Sequence, residues 1–288
     1  MTTDEGTDMT RRMKDKVVFI TGAAREQGRN HAVRLAEVGA DIIAVDICEN
    51  IDTVSPYYPL ATEADLRETV RLVEATGRRI VARKADVRHL ATLQEAFDEG
   101  VAEFGRVDGV VANAGITSYH GHTWELPQEH WQNVIDVNLT GVWHTVKVAV
   151  PTLLEQRRGG AMVFTSSIGG LKGIQNVGHY VAAKHGIVGL MRTLANELAP
   201  ARIRVNTVHP TNVDTIMIQN PGTWGLFAPG DPEPTQEKAL TGFSSLNLLP
   251  VPWVERDDIS NAVVYLLSDE ARYVTGATLP VDAGAAVK

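Results

Sequence analysis

The sequence predicts an α/β protein built on one doubly wound, parallel, seven-stranded sheet with helices on both faces. Short β-rich apolar runs alternate with stretches of helical period from residue 16 to the end of the chain. The runs are apolar on both faces, as strands buried between two helical layers must be. No internal repeat or low-complexity tract interrupts the alternation, and 288 residues at 44% hydrophobic content suit one large core.

The first run, residues 16–21, is a strand closed by Gly22. Helical spacing follows at 31–38, and residues 41–46 form a second strand ending on Asp46, which completes a β-α-β unit. The alternation continues with a strand at 80–85, a helix at 90–104, a strand at 107–112 and a long helix over 128–156. A strand at 161–166, a helix at 180–198, a strand at 203–208, a helix at 257–267 and a strand at 278–281 complete it. This is the Rossmann-type pattern in a single domain, residues 16–288, behind a polar leader at 1–15 that carries no apolar period. Two segments break the rhythm. Residues 47–62 hold two prolines and no period, an insertion after the second strand. Residues 211–252 are rich in Gly, Pro and aromatics, which reads as a mobile lid over a site.

Composition narrows the partners. The net charge of -8 is spread without a basic stripe, which excludes a nucleic-acid or anionic-membrane footprint and favours a small molecule. No apolar stretch approaches the ~18 residues of a membrane span, and no signal segment opens the chain. The single cysteine, Cys48, cannot form an internal disulfide, in keeping with a cytoplasmic location. No metal site is expected, because His120 and His122 sit in a loop without nearby carboxylate or thiolate ligands.

In a doubly wound sheet, the turn after the first strand receives a dinucleotide pyrophosphate on backbone N–H groups. Here it runs from Thr21 to Gly28, with Gly22, Arg25, Gln27 and Gly28 as the expected contacts. Asp46, at the end of the second strand, accepts hydrogen bonds from the adenosine ribose and repels a 2′-phosphate, so NAD is favoured over NADP. Arg25 and Arg29 lean the other way, since either can pair with that phosphate. Asp86 and Val87 suit the adenine, and Asn113, Ala114 and Gly115 pass beneath the cofactor.

Tyr180 and Lys184 lie four apart, on one face of a helix, and Ser167 stands at a strand end thirteen residues before Tyr180. Alcohol oxidation needs a base for the hydroxyl proton, yet a phenol with pKa near ~10 is a poor one at neutrality. Lowering it by two to three units takes roughly 3–4 kcal/mol. One ammonium at ~4–6 Å and an effective dielectric of ~20 supplies about that much, which gives Lys184 a sufficient role. Lys184 also hydrogen-bonds the nicotinamide ribose, and Ser167 fixes the substrate oxygen against the phenol.

These residues together resemble the short-chain dehydrogenase/reductase family over nearly the whole chain. The resemblance rests on Thr21-Gly22…Gly28, Asp86, Asn113-Ala114-Gly115, Asn138, Ser167, Tyr180…Lys184 and His209-Pro210-Thr211. It implies an NAD-dependent enzyme acting on secondary alcohols or ketones and a homotetramer packed through the long helices. It also implies that Asn138 orders a water linking Lys184 to solvent, and that Pro210, Val213 and Thr215 meet the carboxamide end of the nicotinamide. The loop after Asp46, the run at 44–48 and the run at 209–215 are similar to the carveol-dehydrogenase-like subgroup. Members of that subgroup keep NAD bound and pass its electrons to the carrier mycofactocin.

The resemblance has one departure. The middle of the family's turn is usually glycine, whereas this chain has Glu26. In a left-handed conformation a side chain costs about 1–2 kcal/mol, and a carboxylate near a pyrophosphate adds repulsion, so weaker or slower cofactor binding is expected than with glycine. For the substrate, Met217, Trp224, Leu226 and Phe227 in the lid favour an apolar, cyclic, terpenoid or steroid alcohol. Two other readings stay open: an NADP-linked ketone or 3-oxoacyl reductase, and a protein that senses a dinucleotide without turnover.

Overall fold

The computed structural model describes residues 12–228 and 231–288. The apolar runs become β1 (Val17–Thr21), β2 (Asp41–Asp46), β3 (Ile80–Lys84), β4 (Gly109–Ala112), β5 (Gly160–Thr165), β6 (Ile203–Pro210) and β7 (Thr278–Val281). All seven lie parallel in one sheet, in the order β3-β2-β1-β4-β5-β6-β7. The central strands β1, β2 and β4 are buried along their whole length, whereas the edge strands β3 and β7 are partly exposed. Those burial patterns match the two-sided apolar runs read from the sequence.

Side chains alternate between the two faces with the period of two that a strand imposes. Phe19, Ile43, Val110 and Phe164 point to the layer of α3 (Leu90–Phe104), α4 (Gln128–Ile135), α5 (Gly141–Gln156) and α6 (Gly178–Leu198). Val18, Ile20, Ile42, Val111 and Val163 point to α1 (Glu26–Glu37) and α9 (Arg256–Leu267). On the first face the rings of Phe19 and Phe97 meet edge-on with centroids 5.0 Å apart. β1 pairs with both β2 and β4, with Thr21 opposite Val45 and Ala112. The strand order switches there from running outward through β2 and β3 to running outward through β4 to β7, which leaves a crevice beyond the C-terminal strand ends.

Four details differ from the sequence reading. Order begins before residue 16: residues 12–15 form a turn, Met13 is buried in the core, and its N–H donates to the Val38 carbonyl at 2.8 Å. Residues 1–11 of the expected leader lie outside the described residues. A helix not anticipated, α2 (Glu63–Ala75), follows the insertion; a reciprocal Thr62–Asp65 capping box starts it, and Leu66, Thr69 and Val73 form its buried face. The long helix at 128–156 is broken by a π-helical turn, Asp136–Thr140.

The segment at 211–252 is the fourth difference, because it contains α7 (Pro221–Phe227) and α8 (Gln236–Leu246) rather than one long loop. Asn220 caps α7 through the Thr223 N–H at 3.0 Å, with Pro221 as its first residue, and Thr235 caps α8. Phe243 is fully buried against Phe227 (4.3 Å between centroids) and Trp253 (6.1 Å), so part of the aromatic content packs the segment itself.

Candidate active site

The turn after β1 is held in shape by contacts that leave no room for side chains. Gly22 is left-handed (φ 69°), and a Cβ there would lie 2.8 Å from the Ala114 Cα; a Cβ on Gly28 would lie 1.9 Å from the Gly22 carbonyl oxygen. Thr21 Oγ1 accepts the N–H groups of Asn113 and Ala114, each at 3.2 Å. Asn113 Nδ2 donates back to the carbonyls of Thr21 and Gly22, each at 3.2 Å, which ties the ends of β1 and β4 together. Asp46 accepts the N–H of Ala24 at 3.0 Å and that of Cys48 at 3.1 Å. Burial pushes its carboxyl above the ordinary range, and those two bonds oppose the rise.

These groups open onto a cavity of about 910 Å³ over the strand ends. Gly22, Arg25, Gln27, Gly28, Asp46, Asp86, Val87, Asn113, Ala114, Gly115 and Thr215, all singled out by sequence, line it. Ile51, Tyr58, Leu60 and Ala61 of the insertion close its far side. The cavity fits a dinucleotide on two counts. The N-terminus of α1 has no side-chain cap, so its first N–H groups are available to an anion, and Gln27 Oε1 is buried without a hydrogen-bond partner. Asp86 is not free, since its carboxylate pairs with Arg88 at 2.6 Å. Arg29 is spent inside the protein on the carbonyls of Ala24 and Asp65 and on Thr69 Oγ1, so it is not a phosphate partner. Arg25 donates to the Pro59 carbonyl of the insertion.

Glu26 adopts the left-handed conformation that the turn requires, with φ 52°. Its carboxylate is partnered rather than bare: Oε2 lies 3.0 Å from Nη1 of Arg256, and Oε1 receives the Ile216 N–H at 3.4 Å. The guanidinium offsets the charge that the sequence sets against a pyrophosphate.

A second cavity, about 1070 Å³, adjoins the first and shares Gln27, Asn113, Gly115, Thr215 and Met217 with it. Ser167, Tyr180 and Lys184 line it, as do Pro210 and Val213. Ser167 leaves the end of β5 and caps a short 3₁₀ turn, its Oγ accepting the Gly169 N–H at 3.1 Å. Tyr180 and Lys184 stand one turn apart on α6, with the Lys184 Nζ 5.4 Å from the phenol ring centre. Lys184 is 3% exposed, and its Nζ donates to the Thr165 carbonyl at 2.7 Å.

The electrostatics sharpen the sequence argument. Burial pushes the Lys184 ammonium down to about 7 and the Tyr180 phenol upward, with a hydrogen bond to Ser167 pulling the phenol back. In the protein alone both groups lean to their neutral forms. Lys184 therefore serves as the tuning cation only once further acceptors stabilise its charge, a condition that proximity to the phenol does not supply. His209, absent from the expected site residues, positions Ser167: its Nδ1 lies 2.7 Å from the Ser167 carbonyl and its Nε2 2.7 Å from Thr207 Oγ1. Burial holds His209 at about 4, so it acts as a neutral imidazole.

Asn138 is fully buried in the π turn, with Oδ1 accepting the Ile116 N–H and Nδ2 donating to the Ile116 carbonyl, each at 2.8 Å. Both ends of its amide fix the loop after β4. A Cβ placed on Gly115 would lie 3.5 Å from the Lys184 Nζ and 3.6 Å from the Asn138 Oδ1, so glycine keeps the space between those two groups open.

Met217, Leu226 and Phe227 line the second cavity, together with Ile168, Ile174, Val177, Ile218 and Leu246. Trp224 does not. In α7 Thr223, Leu226 and Phe227 share a face at i, i+3 and i+4, and Trp224 turns away, its Nε1 donating to Gln219 at 3.3 Å. The polar exceptions in this wall include His120 and Asn212, whose Nδ1 and Nδ2 are buried without partners. Burial keeps His120 below the usual imidazole range, and His122 stacks on Trp124 at 4.5 Å. Among the described residues no cluster of three or more His, Cys, Asp or Glu could hold a metal, and no helix is long and apolar enough to cross a membrane.

A family model described as "Enoyl-(Acyl carrier protein) reductase" matches residues 22–286, spanning both cavities and the whole sheet after β1. The chain belongs to the short-chain dehydrogenase/reductase family. Within this family it is 52% identical over 277 residues to "(-)-trans-carveol dehydrogenase" of Rhodococcus erythropolis, covering 96% of this chain and 99% of that one. The crystal structure of carveol dehydrogenase from Mycobacterium avium in complex with NAD superposes with a TM-score of 0.95 at 52% identity, over 97% of this chain and 100% of that one. A short-chain dehydrogenase from Mycobacterium paratuberculosis bound to NAD gives a TM-score of 0.88 at 43% identity, over 96% and 100%. The family model and these relatives carry names of different activities, so the match fixes the family and leaves the substrate to the cavity.

Tyr58, His120, Asn212 and His209 contribute to this family site without having been singled out as site residues by sequence. Tyr58 is buried, and its hydroxyl both donates to the Thr117 carbonyl (3.2 Å) and receives the Thr117 N–H (3.1 Å). The paired tyrosines in the insertion are its one local signal.

Proposed function

We propose that this chain is an NAD-dependent dehydrogenase for an apolar, cyclic secondary alcohol of the carveol type, working in either direction between alcohol and ketone. The observation that carries the reading is the junction of the two cavities. A cleft with an uncapped helix N-terminus opens into a mostly apolar chamber, and Ser167, Tyr180 and Lys184 line that chamber. NAD, when bound, supplies the acceptor for the hydrogen and electron pair removed from the alcohol carbon. Gly22, Gln27, Gly28 and Asp46 would hold its adenosine and pyrophosphate half, and Gly115, Lys184, Pro210, Val213 and Thr215 its nicotinamide half.

The residues divide the remaining work. Ser167 Oγ orients the substrate oxygen toward the phenol, and Tyr180 takes the hydroxyl proton as its base or returns it in reduction. Lys184 supports the phenolate once bound hydroxyls join the Thr165 carbonyl as acceptors for its ammonium. The amide of Asn138 is committed to Ile116, so a proton relay from Lys184 to solvent would run past its main chain, where the π turn interrupts the regular helix ladder. Leu226, Phe227, Ile168 and Ile174 supply apolar walls for a ring.

Asp46 favours NAD over NADP by placing a carboxylate where a 2′-phosphate would lie. The insertion covers the adenosine side through Ile51, Tyr58, Leu60 and Ala61, which supports slow release of NAD and its reoxidation in place by mycofactocin. Trp143 and Leu154, exposed on α5, support a homotetramer packed through the long helices. A cytoplasmic location goes with this reading.

The test is a screen of cyclic and terpenoid alcohols that follows reduction of bound cofactor, with an artificial electron acceptor present so that trapped NAD turns over. Turnover of cyclic secondary alcohols with NAD is expected. Activity confined to NADP and acyl thioesters would overturn the reading in favour of a 3-oxoacyl reductase, and nucleotide binding without turnover of any alcohol would favour a sensor.

A further inference from the structure

Glu26 and Arg256 each occupy a place that is unfavourable alone. Glu26 is a non-glycine residue at φ 52° in the first turn of α1, where its carboxylate shares a cavity wall with the anion-binding N–H groups. Arg256 is the first residue of α9, and a cation is disfavoured at a helix N-terminus. Together they make sense, because Nη1 of Arg256 lies 3.0 Å from the Glu26 Oε2. The other carboxylate oxygen receives the N–H of Ile216 at 3.4 Å, and Ile216 sits between Thr215 and Met217, which line both cavities. One side chain thus joins the cofactor turn, the start of α9 and the strand of chain that enters the lid.

We propose that Glu26 is a latch: a positioning residue that fastens the segment 215–217 to the cofactor turn and so lengthens the time a bound dinucleotide stays in its cleft. This rests on the reading of that cleft as an NAD site. The pair with Arg256 neutralises the carboxylate, and the left-handed backbone at Glu26 aims it across the cleft mouth toward Ile216. The strain of a side chain at that φ is present whether the cleft is empty or filled, whereas the contact to Ile216 must break when the segment opens for the dinucleotide to leave. The sequence alone leads to a different expectation, weaker or slower cofactor binding with glutamate than with glycine.

The difference gives a test that a merely structural role would not pass. NADH dissociation from the full chain is followed by stopped-flow fluorescence, and thermal unfolding is followed without nucleotide, for the parent, Glu26→Gly, Glu26→Gln and Arg256→Gln. Glu26→Gly should raise or preserve the melting temperature, because glycine relaxes the left-handed turn, yet release NADH about tenfold faster, the effect of losing a charge-assisted contact. Glu26→Gln and Arg256→Gln should each speed release by roughly threefold, and the double variant should add little to either, since they break the same pair. Release rates equal to the parent in all three single variants would overturn the latch while leaving the NAD site standing. Slower release from Glu26→Gly would also overturn it. A parent that binds no NADH would remove the NAD reading, and the latch with it.

Discussion

The two ends of the site treat their polar groups in opposite ways. At the cofactor end nearly every one is tied to another part of the protein: Asp46 to two backbone N–H groups, Asn113 to the ends of β1 and β4, Glu26 to Arg256 and Ile216. At the chemical end, Lys184 is buried and Tyr180 partly buried, each with few partners, and desolvation drives both toward neutrality. The first arrangement fixes a shape that a ligand fills. The second leaves titratable groups short of partners, so that a ligand changes their protonation as it binds. Rigid shape and unsettled charge are the two things a hydrogen-transfer site needs, and this fold keeps them on different elements, the first at the ends of β1, β2 and β4 and the second on α6.

The largest expected effect separates those ends directly. Tyr180→Phe should cut turnover by about 10³-fold, the middle of the range for loss of a positioned acid–base group, while leaving NAD affinity within about twofold. Steady-state rates and a nucleotide titration on the same preparation check both halves. Unchanged turnover would remove the phenol from the mechanism, and a large loss of affinity would show that the two ends are not separable.

Protonation gives the next effect. His209, behind Ser167, is held at about 4, and His31, between α1 and α9, at about 3, against an ordinary 6.5. In each case the unfolded chain binds the proton first. The stability contributed by the neutral folded form is therefore complete above about 6.5 and lost as pH falls through that value toward 4 and 3. For His209 the shift corresponds to roughly 3 kcal/mol. Unfolding measured between about pH 7.5 and about pH 4.5 should show this drop, and His209→Gln should remove only its own share, leaving that of His31. A flat profile would mean that burial does not hold these imidazoles below their ordinary range in the folded state.

The smallest effect belongs to the shape-fixing end. Asp46→Asn keeps one acceptor oxygen but turns a donor amide toward a second backbone N–H, which loosens the turn near Ala24. NAD affinity should fall about tenfold and the preference over NADP should narrow, with turnover at saturating NAD preserved. Competitive binding of NAD and NADP checks this. A turnover loss as large as that of Tyr180→Phe would erase the distinction between the two ends.

Much of this molecule was legible in one dimension. The seven strands and their parallel direction follow from apolar runs that alternate with helical periods, whereas their order in the sheet came only from the structure. Ser167, Tyr180, Lys184 and the residues of the glycine turn follow from spacing combined with strand ends, and the structure gathers them around two adjoining cavities. α2 was missed although the Thr62–Asp65 capping box marks its start, because it directly follows an aperiodic insertion. Trp224 was assigned to the chamber by its chemistry, but the register of α7, set by the Asn220 cap, turned it to the other side. His209 and Tyr58 work through a backbone carbonyl and a backbone N–H far away in sequence, contacts with no local pattern.

The sequence by itself determined the fold, the family resemblance and the candidates for the reacting side chains, because periodicity and fixed spacing are local properties that short segments carry. Only the tertiary structure decided how those side chains are charged and which distant groups restrain them. The neutral lean of Lys184 comes from the depth of the core around it, and the partner of Glu26 is Arg256, 230 positions away along the chain. Desolvation and long-range pairing are sums over neighbours that the chain order does not list.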